Sequence, residues 1–273
     1  MFRRLRVHDI KRMCAYASAL LLLAITGCRT VPCQAPLTDV AGVYQYSTLQ
    51  ALIEGVYDGE RTLAELRRHG DFGIGTFNAL DGEMILLDGA FYQVRADGAV
   101  YQPPLQTRTP FAAVVSFTAE ETWELPAGLD YAAFRDWLDE KVGGADNLPV
   151  AVHVRGRFGR VRTRSVPAQL PPYPRLTEVT RHQPEFEIKA CAGRLVGFRL
   201  PPYLAGVNVA GYHLHFLSDD LHCGGHLLDF ETVGGTVEIC RRHRLVLDLP
   251  ASEAFKAADL AEDKQADVHA VER

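Results

Sequence analysis

The spacing of apolar and polar residues changes period several times along the chain, and each change marks an element. In STLQALIEGVYDG, Leu49, Leu52, Ile53 and Val56 recur at helical spacing, which predicts a short helix capped by Ser47 or Thr48. RTLAELRRHG predicts a second short helix, stopped by Gly70. The period then falls to two. FGIGTFNA, EMILL, AFYQVR and AVYQ read as short antiparallel strands, because Asp-Gly separates them at 81–82, 88–89 and 97–98. TPFAAVVSF predicts a buried strand. LDYAAFRDWLDEKV predicts a helix with Ala132, Phe134, Trp137 and Leu138 on one face. VAVHVRGRF and RVRTRSVP are expected to form a further strand pair.

The proline-dense stretch PAQLPPYPRL interrupts sheet pairing and is the expected boundary between two halves, 46–168 and 169–273. Beyond it the strand period resumes in FEIKACAG, RLVGFRL, GVNVAGYHLHFLSD, GGHLLDFETV and GTVEICRRHRLVLDLP. A charged segment of helical character, ASEAFKAADLAEDKQADVHAVER, ends the chain. The expected fold class is therefore α+β: two β-rich halves of mixed or antiparallel sheet, with a few peripheral helices.

The first residues follow different rules. MFRRLRVHDIKR is basic, and AYASALLLLAI is an apolar run too short for a comfortable membrane span. It leads into Ile25-Thr26-Gly27-Cys28, which resembles the lipobox of bacterial lipoproteins. On that resemblance 1–28 is a signal peptide ending at a lipidated Cys28, and 29–45 is a tether. The protein is then expected to be exported and anchored at the periplasmic face of the outer membrane. Four further thiols, Cys33, Cys191, Cys223 and Cys240, would enter an oxidising compartment, where a Cys191–Cys240 bridge is a candidate. Elsewhere the composition is ordinary for a globular protein, at 47% hydrophobic residues. The net charge of -5 argues against a nucleic-acid partner.

Candidate chemistry concentrates in GYHLHFLSDDLHCGGHLLDF, Gly211 to Phe230, which holds four histidines. On a strand, His213 and His215 share a face, with Tyr212, Leu214 and Phe216 on the other. SDDLHCGG reverses the chain, and a returning GGHLLDF strand brings His226 opposite them. Three imidazoles with open positions remaining suit a catalytic divalent metal, usually zinc. The competing readings are a hairpin with a polar tip and a few core histidines. His222 lies in the turn and is set aside in favour of His226. Cys223 is read as a structural or free thiol, and Asp219 and Asp220 as solvated turn residues.

The same run, with HGDFGIGTFNALDGEMILLDGAFYQV and VRTRSVPAQLPPYP upstream, resembles the α-acetolactate decarboxylase family from about Tyr46 to the C-terminus. The resemblance implies a zinc-dependent conversion of 2-acetolactate to acetoin and CO2, and a homodimer. It places the zinc ligands on His213, His215 and His226, a substrate-binding threonine on Thr76, and catalytic residues on Glu83, Arg164 and Glu272. Loss of CO2 leaves an enediolate, whose charge zinc would stabilise through the ketone and hydroxyl oxygens. Protonation on one face would then set the acetoin enantiomer, with Arg164 or a water held by it, or by a glutamate, as donor. Glu83 and Glu272 would take the hydroxyl proton or fix the substrate. Without the resemblance, Glu83, Arg162, Arg164 and Thr76 read as ordinary strand residues. The alternatives are a cupin-like metal oxygenase, whose second histidine motif is missing around His243 and His269, and a non-catalytic zinc-binding lipoprotein.

Overall fold

A computed structural model describes residues 42–143, 147–261 and 267–268. The first part of the chain supplies β1 (Val43–Tyr46), α1 (Leu49–Ile53), β2 (Arg61–Thr62), α2 (Leu63–Leu66), β3 (Phe72–Thr76) and β4 (Glu83–Leu87). β5 (Ala90–Val94), β6 (Val100–Tyr101), β7 (Arg108–Thr109), β8 (Ala112–Val115) and β9 (Glu121–Leu125) follow, then α3 (Tyr131–Val142). The remainder is β10 (Val150–Arg164), α4 (Leu176–Val179), β11 (Glu185–Leu200), β12 (Gly211–Ser218), β13 (Gly224–Arg241), β14 (Leu245–Asp248) and α5 (Glu253–Ala257).

Seven strands form one sheet in the order β14-β1-β8-β3-β4-β5-β6. Two of its Asp-Gly sites, 88–89 and 97–98, are turns as the pattern predicted, whereas Asp81-Gly82 follows a 3-10 turn, Asn78–Leu80, where the strand FGIGTFNA was expected to continue. At Asp88-Gly89 both residues have positive φ, 52° and 76°, the backbone that matches the twist of the flanking β4 and β5. The short helices are capped locally. Thr48 accepts from the Ala51 N–H, and Thr62 and Glu65 form a reciprocal capping box.

β10, β11, β12 and β13 form a closed circuit of hydrogen-bonded neighbours, since β10 pairs with both β11 and β13, and β9 adds to the outer part of β13. The interior of this circuit is apolar: Val152, Val154, Phe158, Leu195, Leu214, Phe216, Phe230 and Ile239. α3 packs Phe134, Leu138 and Val142 onto it, while Ala132 is exposed, so the buried stripe runs one residue differently from the expected face. Each such side chain contributes about 1.5–3 kcal/mol when buried. The outer face of the circuit presents Ala151, Val196, Phe198, Leu200 and Leu217 to Phe72, Ile74, Ile85 and Val115 of the seven-stranded sheet. The functional residues lie along this sheet-to-sheet contact.

Three sequence expectations are corrected here. VAVHVRGRF and RVRTRSVP are one 15-residue strand, β10, and β11 and β13 are likewise continuous. Two of the glycines where the strands were expected to break, Gly193 and Gly235, lie in register with Gly156, one on each side of β10. A Cβ on Gly235 would meet the Arg155 carbonyl oxygen at 2.1 Å, so glycine permits close passage of strands there. Second, the sheets do not divide at 168–169: β9 and β10 join β11–β13, and β14 returns to the first sheet beside β1. The proline-rich segment between β10 and β11 instead folds over the molecule, with the Gln169 N–H donating to the Ala79 carbonyl at 2.7 Å. Third, Cys191, Cys223 and Cys240 are free thiols. Cys191 pairs with Phe158 and Cys240 with Ala151, positions roughly 23 Å apart along β10, far beyond disulfide reach.

Gly235→Ala should destabilise the protein by about 3 kcal/mol, through the Arg155 clash and a φ of +156°. Gly159→Ala, where no neighbour comes nearer than 3.9 Å, should change little. Paired thermal melts check this, and equal midpoints for the two variants would contradict it.

Candidate metal centre

β12 alternates as predicted. Leu214 and Phe216 enter the circuit's core, while His213 and His215 point towards the seven-stranded sheet. The turn at 219–223 returns the chain, and His226 pairs directly with His215. The tight return depends on glycine. A Cβ on Gly224 would meet the Phe216 carbonyl at 2.4 Å, and one on Gly225, whose φ is +130°, the Arg164 carbonyl at 2.5 Å. The three imidazoles are buried, and one nitrogen from each lies within 4.8 Å of the others. His222 stands outside this group: its ring is 83% exposed and its Nδ1 lies 2.8 Å from the Asp220 carbonyl.

The protonation of the group follows from its burial. Desolvation pushes the His213 imidazole down to about 3, with the Arg164 charge acting in the same direction. Desolvation likewise holds His215 and His226 well below the ordinary histidine value, followed by the His213 charge at His215 and the Arg164 charge at His226. Neutral imidazole is the form that binds a metal. The Met84 carbonyl can only accept, so His215 Nδ1, 2.9 Å away, carries the proton, and Nε2 presents a lone pair. His215 Nε2 and His213 Nδ1 are both buried without a hydrogen-bond partner. Leaving such atoms unpaired costs about 1–3 kcal/mol each, and a cation would satisfy both. The donor set therefore fits a divalent metal.

The wall around the histidines comes from distant segments. Thr76 and Glu83 face each other across β3 and β4, and the Thr76 hydroxyl donates to the Gly82 carbonyl at 2.7 Å, bracing the turn before Glu83. Glu83 Oε2 lies 3.5 Å from His215 Nε2. Arg164 ends β10 opposite His226 and is only 4% exposed. Leu49, Leu52, Phe111, Val166 and Leu176 supply an apolar side. The cavity is about 50 Å³, the space of a few waters, which limits it to a small ligand.

Thus Thr76, Glu83, Arg164, His213, His215 and His226 line one cavity. Glu272 and Cys28 lie outside the described residues. Earlier in the sequence, Arg175 binds both Glu54, at 2.6 Å, and Asp267, at 2.9 Å, and Val268 packs against the cluster containing Leu49, Leu52 and Leu176. Sequence reasoning missed Thr180 and Gln183, which also line the cavity. Only the strand register, which sets Glu185 opposite Arg164, brings them there.

Three histidines gathered in a small, half-apolar cavity between two β-sheets mark a site able to hold a metal ion and a small ligand. The chain belongs to the α-acetolactate decarboxylase family, whose model matches residues 43–262. It is 48% identical to an α-acetolactate decarboxylase of Methylococcus capsulatus, over 84% of this chain and 88% of that protein. It is 43% identical to one from Raoultella terrigena, over 84% and 89% respectively. The solved α-acetolactate decarboxylase structure from Bacillus subtilis strain 168 superposes with a TM-score of 0.82 at 37% identity, covering 84% of this chain and 98% of that one. This membership removes the cupin-like and metal-carrier alternatives.

Placement at the outer membrane is corrected. The shared region begins at residue 43, leaving the Cys28 segment outside it, and these relatives carry the names of enzymes rather than of anchored lipoproteins. Among the described residues no helix is long and apolar enough to cross a membrane.

Substituting alanine for His213, His215 or His226 should each abolish stoichiometric metal binding, since three ligands leave no redundancy. His222→Ala should retain it. Elemental analysis of the purified variants decides, and full occupancy in His226→Ala would refute the ligand assignment.

Proposed function

We propose that this chain carries out the reaction for which its family is named, the decarboxylation of 2-acetolactate to acetoin and CO2, with zinc at the three histidines. The observation that carries this reading is the convergence of three neutral, buried imidazoles with Arg164, Glu83 and Thr76 on one small cavity. His213, His215 and His226 would hold the ion and leave positions open for substrate. When bound, zinc supplies a Lewis acid for the charge that develops on the ketone oxygen as CO2 leaves.

The protein's own groups then divide the remaining work. The bond between the carboxylate carbon and its neighbour breaks, its electron pair moves towards the ketone, and that neighbouring carbon afterwards gains a proton. The planar fork of donors on Arg164 suits holding an anion or a water in one orientation. Its role is to orient the carboxylate and then a protonating water on one face, which sets the acetoin enantiomer. Glu83, beside His215, puts a negative charge next to the metal position and fixes the substrate there. Thr76, whose hydroxyl already donates its hydrogen bond to the Gly82 carbonyl, can meet substrate only as an acceptor. The apolar side formed by Leu49, Leu52 and Phe111 excludes bulk water.

Glu272 is assigned to the same site as a carboxylate that handles a substrate proton. The support is the approach of Asp267 and Val268 to the residues around the cavity mouth. We also propose a homodimer, which sedimentation equilibrium would test by returning twice the monomer mass.

Purified, zinc-loaded protein should form acetoin and CO2 in equal amounts from acetolactate, and absence of acetoin would refute the reading. Deleting 271–273 should leave zinc content and melting temperature nearly unchanged while turnover falls on the order of a hundredfold. Near-normal turnover in the truncated enzyme would remove Glu272 from the mechanism.

A further inference from the structure

Gln183 has no part in the roles described above. It follows the 3-10 turn Thr180–His182 and precedes β11. The next carbonyl, Pro184 O, accepts from the Ser165 N–H at 3.2 Å, and Glu185 pairs with Arg164. The backbone around Gln183 is therefore tied to the end of β10 that carries Arg164 into the cavity. The Gln183 side chain lines that cavity, and its Oε1 is buried without a hydrogen-bond partner. Among the described residues no group donates to it.

An amide oxygen in this position is matched only by a ligand that brings a donor. On the decarboxylase reading, the substrate has one. The carboxylate and ketone of acetolactate only accept, whereas its tertiary hydroxyl donates. Glu83, the acidic residue among the described residues of the cavity wall, is drawn to the histidine centre 3.5 Å away. We propose that Gln183 accepts a hydrogen bond from the substrate hydroxyl, and so selects 2-hydroxy-3-oxo acids over 3-oxo acids lacking that hydroxyl. A site built to pair a hydroxyl discriminates strongly against a ligand without one, because the protein group is then left unpaired.

The proposal rests on the decarboxylase reading, and the test separates the two. Two small acids serve as competitive inhibitors of the zinc-loaded enzyme: 2-hydroxy-2-methylpropanoate, and 2,2-dimethylpropanoate, in which a methyl replaces the hydroxyl. Wild type should favour the hydroxy acid. Gln183→Met, of similar length but without the acceptor, should reduce that preference about tenfold while leaving inhibition by the methyl analogue within about twofold. Gln183→Glu keeps an acceptor and should keep the preference, its charge weakening both anions alike. Metal content and melting temperature establish that each variant is folded, and Gln183→Leu stands in should the Met variant not fold. An undiminished preference in the folded, zinc-loaded Met or Leu variant overturns the proposal, as does a wild type that does not favour the hydroxy acid. Failure of wild type to make acetoin would instead overturn the reading beneath it.

Discussion

The hydrogen bond from His215 Nδ1 to the Met84 carbonyl, 2.9 Å long and buried between two sheets, governs the rest of the site. It settles which nitrogen of His215 carries the proton and therefore which one faces the other imidazoles. It also joins the two sheets at the point where chemistry is to occur, because Met84 belongs to the seven-stranded sheet and His215 to the strand circuit. The residue beside Met84 is Glu83, so the contact that orients the histidine also brings the carboxylate to it. Burial keeps all three imidazoles neutral, and the nearby Arg164 reinforces that state. The arrangement is costly for a protein without a cation, which gives the centre a physical reason to acquire one.

What could be read from the sequence was whatever depends on neighbouring residues. The alternation in GYHLHF places His213 and His215 on one face without any knowledge of the fold. A glycine-bearing return supplies His226, and the Asp-Gly pairs at 88–89 and 97–98 mark their turns. What could not be read depends on strands far apart in the chain. Gly193 and Gly235 look like interruptions one at a time, yet with Gly156 between them they are the places where long strands pass closely. Glu83, Thr76 and Arg164 resembled ordinary strand residues, and only the family resemblance singled them out. Gln183 had neither pattern nor motif to mark it, because its position follows from the pairing of Glu185 with Arg164.

The proline-rich segment shows the difference most clearly. Proline density does prevent sheet pairing there, as local chemistry requires. Yet the segment does not separate two domains, since Val166 and Leu176 close one side of the cavity, and Arg175 links α1 through Glu54 to the chain near its end. A stretch unable to join a sheet is free to cross between sheets, and here that freedom builds a wall of the site.

The parallel pairing of β1 with β14 has a consequence for the life of the protein in the cell. The strand that covers one edge of β1, Leu245–Asp248, is synthesised only after the histidine strands β12 and β13. Until it arrives, Val43–Tyr46 presents an uncovered row of amides and carbonyls, the kind of edge that recruits strands from other molecules. A chain cut short before β14 would carry the histidine hairpin intact and still be prone to aggregate. Synthesis of β14 thus protects β1, and copies terminated before it would expose a defect that quality control can recognise.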